Sequence, residues 1–127
     1  MEWSLDKSRP ICPQLCETLR AKIATREFLP DQRLPSVREV ALSAGVNPNT
    51  VQKAFDQLEA EGLLYSQRGS GWFASADDTI GSRLLSEITE KKITAFFNEM
   101  KALGMSEEDV KKYVASWQND SVYDAKI

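Results

Sequence analysis

Four polar side chains lie on one predicted short helix, at the positions that its apolar residues leave free: Asn49, Thr50, Gln52 and Lys53. Asparagine and glutamine can pair bidentately with adenine, threonine can contact bases or phosphates, and lysine can bind phosphate or guanine. The spacing therefore predicts a face that enters the major groove of DNA, with Asn49 and Gln52 as the base-contacting residues. The alternative is a solvated helix face whose polarity serves only solubility.

Two arginines extend this predicted face. Arg38 lies on the exposed side of the preceding predicted helix, where an arginine can bind a phosphate or a guanine. A surface ion pair with Glu39 or Glu61 is the alternative for Arg38. Arg68 lies at the tip of a predicted hairpin, from which an arginine can enter the adjacent minor groove. The alternative for Arg68 is a plain turn residue.

The composition lacks the usual parts of an active site or a metal centre. The 127 residues include no histidine, which removes the commonest general base and the commonest metal ligand. Cys12 and Cys16 are four residues apart on a predicted helix, which places their Cβ atoms about 5–6 Å apart, too far for a disulfide. We therefore expect free, buried or half-buried thiols, no catalytic residue, no metal and no cofactor.

Charge is divided unequally along the chain. Residues 1–76 contain nine Lys or Arg and nine Asp or Glu, whereas residues 77–127 contain seven against ten. A neutral first part must segregate its charges to bind DNA, and the acidic second part is better suited to contact protein than phosphate. The sequence has no apolar run of the roughly 20 residues that a membrane span needs, and MEWSLDKSRP lacks the apolar core of a signal peptide. A cytoplasmic protein without membrane contact is predicted.

Two short helices joined by a glycine turn are predicted to position the polar face. Ser36 and Glu39 match a capping box at the start of the first helix. Gly45 is expected to end that helix, and Asn47 to cap the second one ahead of Pro48. The inward stripe of the second helix is then Val51, Ala54, Phe55 and Leu58.

A hairpin is predicted to follow this helix pair. Residues 63–66 and 71–74 have strand-like composition around a glycine-bearing loop. Trp72 and Phe73 alternate on the second strand, so only one of them can face the core. With a first helix predicted over 13–27, the fold class is mainly α with a small β-hairpin: a winged helix-turn-helix domain over 1–76, followed by two C-terminal dimerisation helices over 77–127.

The second region is predicted to contain a long helix over 79–103 and a final helix capped by Ser106. The apolar residues of these helices cover more than one stripe, and about 50 residues can hardly build a core alone. Either the region folds back on the winged domain of a monomer, or it pairs with a second copy, which is the commoner solution. The predicted dimerisation residues are Leu84, Leu85, Ile88, Phe96, Phe97, Met100 and Trp117.

Several motifs, in order and spacing, resemble the DNA-binding domain of the GntR family of bacterial transcription regulators. They are PICPQL, LPSVREVA, GVNPNTV, AFDQLEAEGLL and QRGSGWF, between Pro10 and Phe73. The SVRE and VNPNTV variants resemble the YtrA-type subfamily, which has a short C-terminal part of two helices. The resemblance implies a homodimer that binds an inverted-repeat operator and pairs through those helices.

The resemblance also implies which residues contact DNA: Arg38, Asn49, Thr50, Gln52, Arg68 and Gly69. Larger relatives often have arginines where this chain has Pro48 and Gln52, which implies a different base preference and weaker phosphate attraction. Trp72 replaces a common small hydroxyl residue, which puts the backbone contact of the hairpin with DNA in doubt. Relatives of the YtrA type commonly act on membrane-transport operons.

Three functions follow from these observations. The first is a sequence-specific DNA-binding regulator, most simply a repressor that occupies an operator. The second is a winged-helix protein-interaction module that docks a partner through its acidic tail and does not bind DNA. An enzyme is the weakest of the three. A small-molecule effector bound between Phe96, Phe97, Met100 and Trp117 of two copies is one interpretation of those residues, and packed dimer core is the simpler one.

Overall fold

The computed structural model describes residues 3–119. Over this range it contains five helices and one antiparallel hairpin, which largely follow the predicted order. The elements are α1 (Ile11–Ala24), α2 (Val37–Ala44), α3 (Pro48–Ala60), β1 (Leu64–Gln67), β2 (Gly71–Ala74), α4 (Ile80–Ala102) and α5 (Glu107–Ser116). The fold class is thus mainly helical with a small hairpin, as predicted.

Local capping defines the helix pair α2 and α3. The Ser36 hydroxyl accepts the Glu39 amide at 3.0 Å, and the Glu39 carboxylate accepts the Ser36 amide at 3.1 Å, which completes the predicted capping box. Gly45 ends α2 with φ +69°, a left-handed conformation that glycine adopts without a Cβ clash. Asn47 then caps α3, and Pro48 occupies its first turn. The predicted turn between the two helices is confirmed.

The start and end of α1 differ from the prediction. The helix runs over Ile11–Ala24 instead of 13–27. It ends early because Arg26 adopts a φ of +63° and the Phe28 amide turns back to the Lys22 carbonyl at 3.0 Å. This turn buries Phe28 in the core, and no glycine or proline in the sequence marks it. The cysteines of α1 are free, as expected, with Cys16 buried and Cys12 half-buried. Burial raises the pKa of the Cys16 thiol to about 11, so it stays protonated at neutral pH.

The hairpin pairs Leu64 with Ala74 and Gln67 with Gly71. Its second strand is also bonded on the other side by a short segment, since the Leu34 amide donates to the Trp72 carbonyl at 2.8 Å and the Ala74 amide donates to the Gln32 carbonyl at 2.9 Å. Trp72 packs edge-to-face on Phe55 of α3, with ring centroids 5.3 Å apart. Phe73 points to the opposite face and stacks on Tyr65. The alternation predicted for these two aromatic residues is confirmed.

The chain divides into two compact units, the first ending at Ile88 and the second beginning at Thr89. The first unit contains one apolar core, built by α1, α2, α3, the hairpin and the first turns of α4. Leu84 is buried in this core, and Ile88 packs against it half-buried. The predicted division after residue 76 placed these first turns of α4 in the second region instead.

The second unit consists of the rest of α4 and helix α5, which is capped by the Ser106 hydroxyl at 3.1 Å from the Asp109 amide. Among its described residues, 89–119, Val110 alone is fully buried. Over residues 3–119, no helix is both long enough and apolar enough to cross a membrane.

Candidate nucleic-acid interface

The polar face of α3 is exposed. The α2–α3 turn and the Asn47 cap fix where α3 begins, and the inward stripe Val51, Ala54, Phe55 and Leu58 is fully buried. The opposite side therefore presents Asn49, Gln52 and Lys53 to solvent, while Thr50 is half-buried. These are the side chains that the sequence predicts for a groove, and α3 places them on one side of its first two turns.

Within this face, Gln52 makes a hydrogen bond that the sequence analysis did not anticipate. Its amide nitrogen donates to the Asp56 carboxylate at 2.9 Å, one helical turn further on. Bidentate recognition of adenine needs both the donor and the acceptor of the glutamine amide, so Gln52 must leave Asp56 to pair in this way. The carboxylate of Asp56 also opposes phosphate at this end of the face.

Arg38 is exposed in the first turn of α2 and is not held by either proposed ion-pair partner. Glu61 is instead bound by Arg20, with Nε and Oε1 3.1 Å apart. The Glu39 carboxylate accepts the Ser36 amide, and this backbone hydrogen bond is the main reason why the pKa of Glu39 is lowered. In residues 3–119, Arg38 takes part in no ion pair. Its guanidinium is therefore available to an external anion.

Arg68 and Gly69 lie at the exposed tip of the hairpin, as predicted. The tip is closed by the Ser70 amide, which donates to the Gln67 carbonyl at 2.9 Å. Gly69 has a φ of +78°, which suits glycine in a tight turn. Arg68 also lacks an ion-pair partner within the described residues. The hairpin thus presents a free guanidinium on a hydrogen-bonded turn.

Several carboxylates of the first unit are held by hydrogen bonds or ion pairs. The Asp31 carboxylate accepts the Tyr65 hydroxyl at 2.7 Å, and the Glu59 carboxylate accepts the Ser66 hydroxyl at 3.1 Å. Glu61 is engaged with Arg20, and Glu27 with Lys22. Within residues 3–119, Arg38, Lys53 and Arg68 take part in no ion pair, so each element predicted to contact DNA presents an unpaired positive charge.

Two further cations lie beside these elements and were missed by the sequence analysis. The Lys7 ammonium donates to the Gly45 carbonyl at 2.6 Å, at the turn that leads into α3. The Arg33 guanidinium lies beside Gly71 on the hairpin. The spacing of Lys7 gave no signal, because it lies in a segment without periodicity. The only sequence signal for Arg33 was its position directly before Leu34-Pro35 and the capping box.

The second unit exposes most of its apolar side chains. Leu85, just before this unit, is 50% exposed, and within the unit Trp117 is 65% exposed, while Phe96 is partly exposed and contacts Phe97 edge-to-face. Phe97 and Met100 are half-buried. Of the predicted dimerisation residues, Leu84 is already buried in the core of the first unit, so its side chain is not available to a partner. Hydrophobic periodicity showed that Leu84 faces inward but not which surface would cover it. Other exposed apolar residues here are Ile93, Leu103, Tyr113 and Val114.

Comparison with known families and proteins gives consistent results. The family described as "Bacterial regulatory proteins, gntR family" matches residues 13–74. The chain is 33% identical over 110 residues to the uncharacterized HTH-type transcriptional regulator YhcF of Bacillus subtilis, covering 87% of this chain and 91% of YhcF. It is also 33% identical to the HTH-type transcriptional repressor YtrA of the same organism, covering 76% and 69% of the two chains. It spans only 37% of the repressor NagR, to which it is 37% identical.

Solved structures resemble the chain at two scales. A GntR family transcriptional regulator from Listeria monocytogenes superimposes with a TM-score of 0.81 at 31% identity, covering 90% of this chain and all of that one. The DNA-binding domain of AraR, solved in complex with operator ORE1, gives a TM-score of 0.50 at 31% identity and covers 59% of this chain. The match to the Listeria regulator covers residues of both units, and the match to AraR covers about the length of the winged domain.

Proposed function

The chain belongs to the GntR family of bacterial regulatory proteins and is a transcriptional regulator with a winged helix-turn-helix DNA-binding domain, and from this premise we propose that it acts as a homodimeric repressor on an inverted-repeat operator. The repressor assignment is supported by YtrA and NagR, which are named repressors. Because its target is chromosomal DNA, we place the protein in the cytoplasm.

The arrangement of the unneutralised charges supports the proposed DNA contacts most directly. Arg38 on α2, Lys53 on α3 and Arg68 at the hairpin tip are exposed and, among residues 3–119, form no ion pair. The two arginines and Lys53 would bind phosphates and fix the protein on the duplex, and Asn49, Thr50 and Gln52 would contact base edges. Gly69 would allow the hairpin backbone to approach the sugar-phosphate chain closely. The AraR domain, which resembles this region, is bound to operator DNA in its structure.

The exposed apolar side chains support the proposed dimer. We assign to the contact the exposed residues Leu85, Phe96 and Trp117 and the half-buried residues Ile88, Phe97 and Met100, without Leu84. Monomeric soluble proteins rarely expose large contiguous apolar patches, and a second copy is the simplest partner for two helices with exposed apolar side chains. Two recognition helices in such a dimer would enter major grooves about one DNA turn, roughly 34 Å, apart.

The test is selection of bound sequences from random duplex DNA by the purified chain, at physiological salt. We expect an enriched inverted repeat. The Arg38→Ala variant should bind the enriched duplex about 10-fold to 100-fold more weakly, because it loses a charge-assisted contact. Its melting temperature should be unchanged, since Arg38 has no partner within the described chain.

Arg9→Gln is the matched control, because Arg9 is an exposed arginine that is already paired with Asp6. Its affinity for the enriched duplex should equal that of the wild type. An Arg38→Ala variant that loses stability together with affinity would show that Arg38 is structural. Failure to enrich any sequence, with salt-independent capture of a protein partner, would instead favour the protein-interaction module.

A further inference from the structure

Arg33 occupies a backbone position that is fixed from both sides. The residues before and after it are hydrogen-bonded to β2, through the Gln32 carbonyl and the Leu34 amide, and Arg33 itself pairs with Phe73 in an antiparallel bridge. The segment is therefore paired with the outer edge of β2 by an isolated bridge. The direction of the Arg33 side chain therefore follows from the pleat of the paired backbone. The sequence alone places Arg33 in a loop.

The Arg33 side chain lies over the backbone of Gly71. A Cβ atom at Gly71 would come within 3.3 Å of the Arg33 Nε and 3.5 Å of its Nη2. Gly71 also has a φ of +112°, a conformation that residues with a side chain rarely adopt. The glycine thus leaves open the space in which the guanidinium lies, next to the turn that presents Arg68 and Gly69.

Arg33 is exposed, and in residues 3–119 it forms no ion pair. The charge of Arg33 contributes to the lowered pKa of Glu39, whose carboxylate already accepts the Ser36 amide in the capping box. Arg33 lies four residues before the start of α2, which carries Arg38 in its first turn, and it is bridged to β2 of the hairpin whose tip carries Arg68. The backbone thus connects Arg33 closely to both elements that the proposed function assigns to DNA.

We propose that Arg33 is a further phosphate-binding residue, which joins the contacts of α2 to those of the hairpin along one strand of the duplex. A guanidinium group can bind a phosphate through two parallel hydrogen bonds. Because the backbone around Arg33 is already hydrogen-bonded to β2, binding DNA does not have to order this segment. The inference rests on the proposed DNA binding. The competing explanation is that Arg33 only packs against Gly71 and supports the hairpin.

Salt dependence separates the two explanations. Each phosphate contact contributes about 0.9 to the slope of log affinity against log salt. We would measure the affinity of the full chain for the enriched duplex by fluorescence anisotropy, between about 50 and 200 mM salt, for wild type, Arg33→Gln and Arg33→Lys. Arg9→Gln, which removes a cation already neutralised by Asp6, is the matched control.

Arg33→Gln should bind about 10-fold more weakly at low salt and show a slope about 0.9 smaller in magnitude, because one contact to a charged group is lost. Arg33→Lys should keep the wild-type slope, and Arg9→Gln should match the wild type. If Arg33→Gln keeps the full slope, the proposal is overturned while the proposed function stands, since the wild type still binds. If Arg33→Gln melts at a lower temperature, the slope of Arg33→Lys decides: a reduced slope there overturns the proposal. A wild type without DNA binding would contradict the proposed function itself.

Discussion

The two units of this chain differ in how they bury their apolar side chains. Residues 3–88 bury eighteen apolar or cysteine side chains in one continuous cluster. In residues 89–119, Val110 is the one fully buried side chain, although the helices there contain several large apolar residues. The first unit thus covers its apolar surface with its own residues, and the second does not.

This difference determines where the free energy of folding can come from. Each Å² of apolar surface removed from water stabilises by roughly 25 cal/mol, so the first unit gains its stabilisation within the chain. The exposed faces of α4 and α5 gain theirs only when another surface covers them. The first unit should therefore respond to substitution through unfolding, and the second through association. Three substitutions or conditions test this contrast.

Truncation of the most enclosed aromatic side chain should have the largest effect. Phe55 is 0% exposed and contacts Trp72 edge-to-face. Phe55→Ala should lower the free energy of unfolding by about 3–5 kcal/mol, because it leaves a cavity beneath the hairpin. Urea denaturation would measure the change. Leu42→Ala is the control in the same unit, since Leu42 is 85% exposed, and it should change stability by less than about 0.5 kcal/mol. Similar effects of the two variants would contradict a single core in this unit.

Truncation in the second unit should instead change association. Trp117→Ala should weaken dimerisation by about 2 kcal/mol, roughly 30-fold, because a tryptophan that becomes buried between two partners commonly contributes much of the binding free energy. Sedimentation over a concentration series would measure the dissociation constant. The neighbouring exposed residue Gln118 supplies the control, and Gln118→Ala should leave the constant unchanged. A monomeric wild type would refute the dimer, and an unchanged Trp117→Ala dimer would remove this residue from the contact.

Acid should have the smallest of the three effects, acting through one ion pair of the first unit. The hydrogen bond from Arg20 lowers the pKa of Glu61 below its ordinary value of 4.5. The pair therefore stabilises the fold fully above that value, and its contribution is lost as the pH falls through the lowered pKa. Because the pair is partly exposed, it should contribute less than about 1 kcal/mol.

The measurement is the melting temperature of wild type and Glu61→Gln between neutral and acidic pH. The two should differ at neutral pH and converge in acid. Glu107→Gln is the control, because its ion pair with Lys111 is highly exposed, and this variant should follow the wild type throughout. A constant gap between wild type and Glu61→Gln across the whole range would show that the pair does not titrate as described.

Local rules predicted the parts of the fold that local chemistry determines. The caps at Ser36, Asn47 and Ser106 form as expected because each satisfies amides within three residues of itself. The inward stripe of α3 was predictable because helical periodicity fixes which side chains share a face. The polar residues of the interface follow from that stripe by exclusion.

Non-local pairing determined what the sequence did not predict. The end of α1 depends on a turn that buries Phe28, and the position of Arg33 depends on a single bridge to Phe73. Neither produces a period along the chain. Leu84 was assigned to the dimer because its pattern indicates burial without naming the neighbour. The spacing of Gln52 and Asp56 on a helix allows their hydrogen bond, but the sequence was interpreted as presenting Gln52 to a DNA base.

The edge-to-face contact between Trp72 and Phe55 has an optical consequence. The chain has three tryptophans: Trp3 in the N-terminal segment, Trp72 on β2 and Trp117 in the second unit. With Trp3 and Trp117 replaced by phenylalanine, all indole emission would come from a ring that lies between the hairpin and α3. A ring packed among apolar side chains emits at shorter wavelength than one in water. The wavelength of maximum emission would then report, in real time and without a label, whether the hairpin stays packed against α3 when DNA binds.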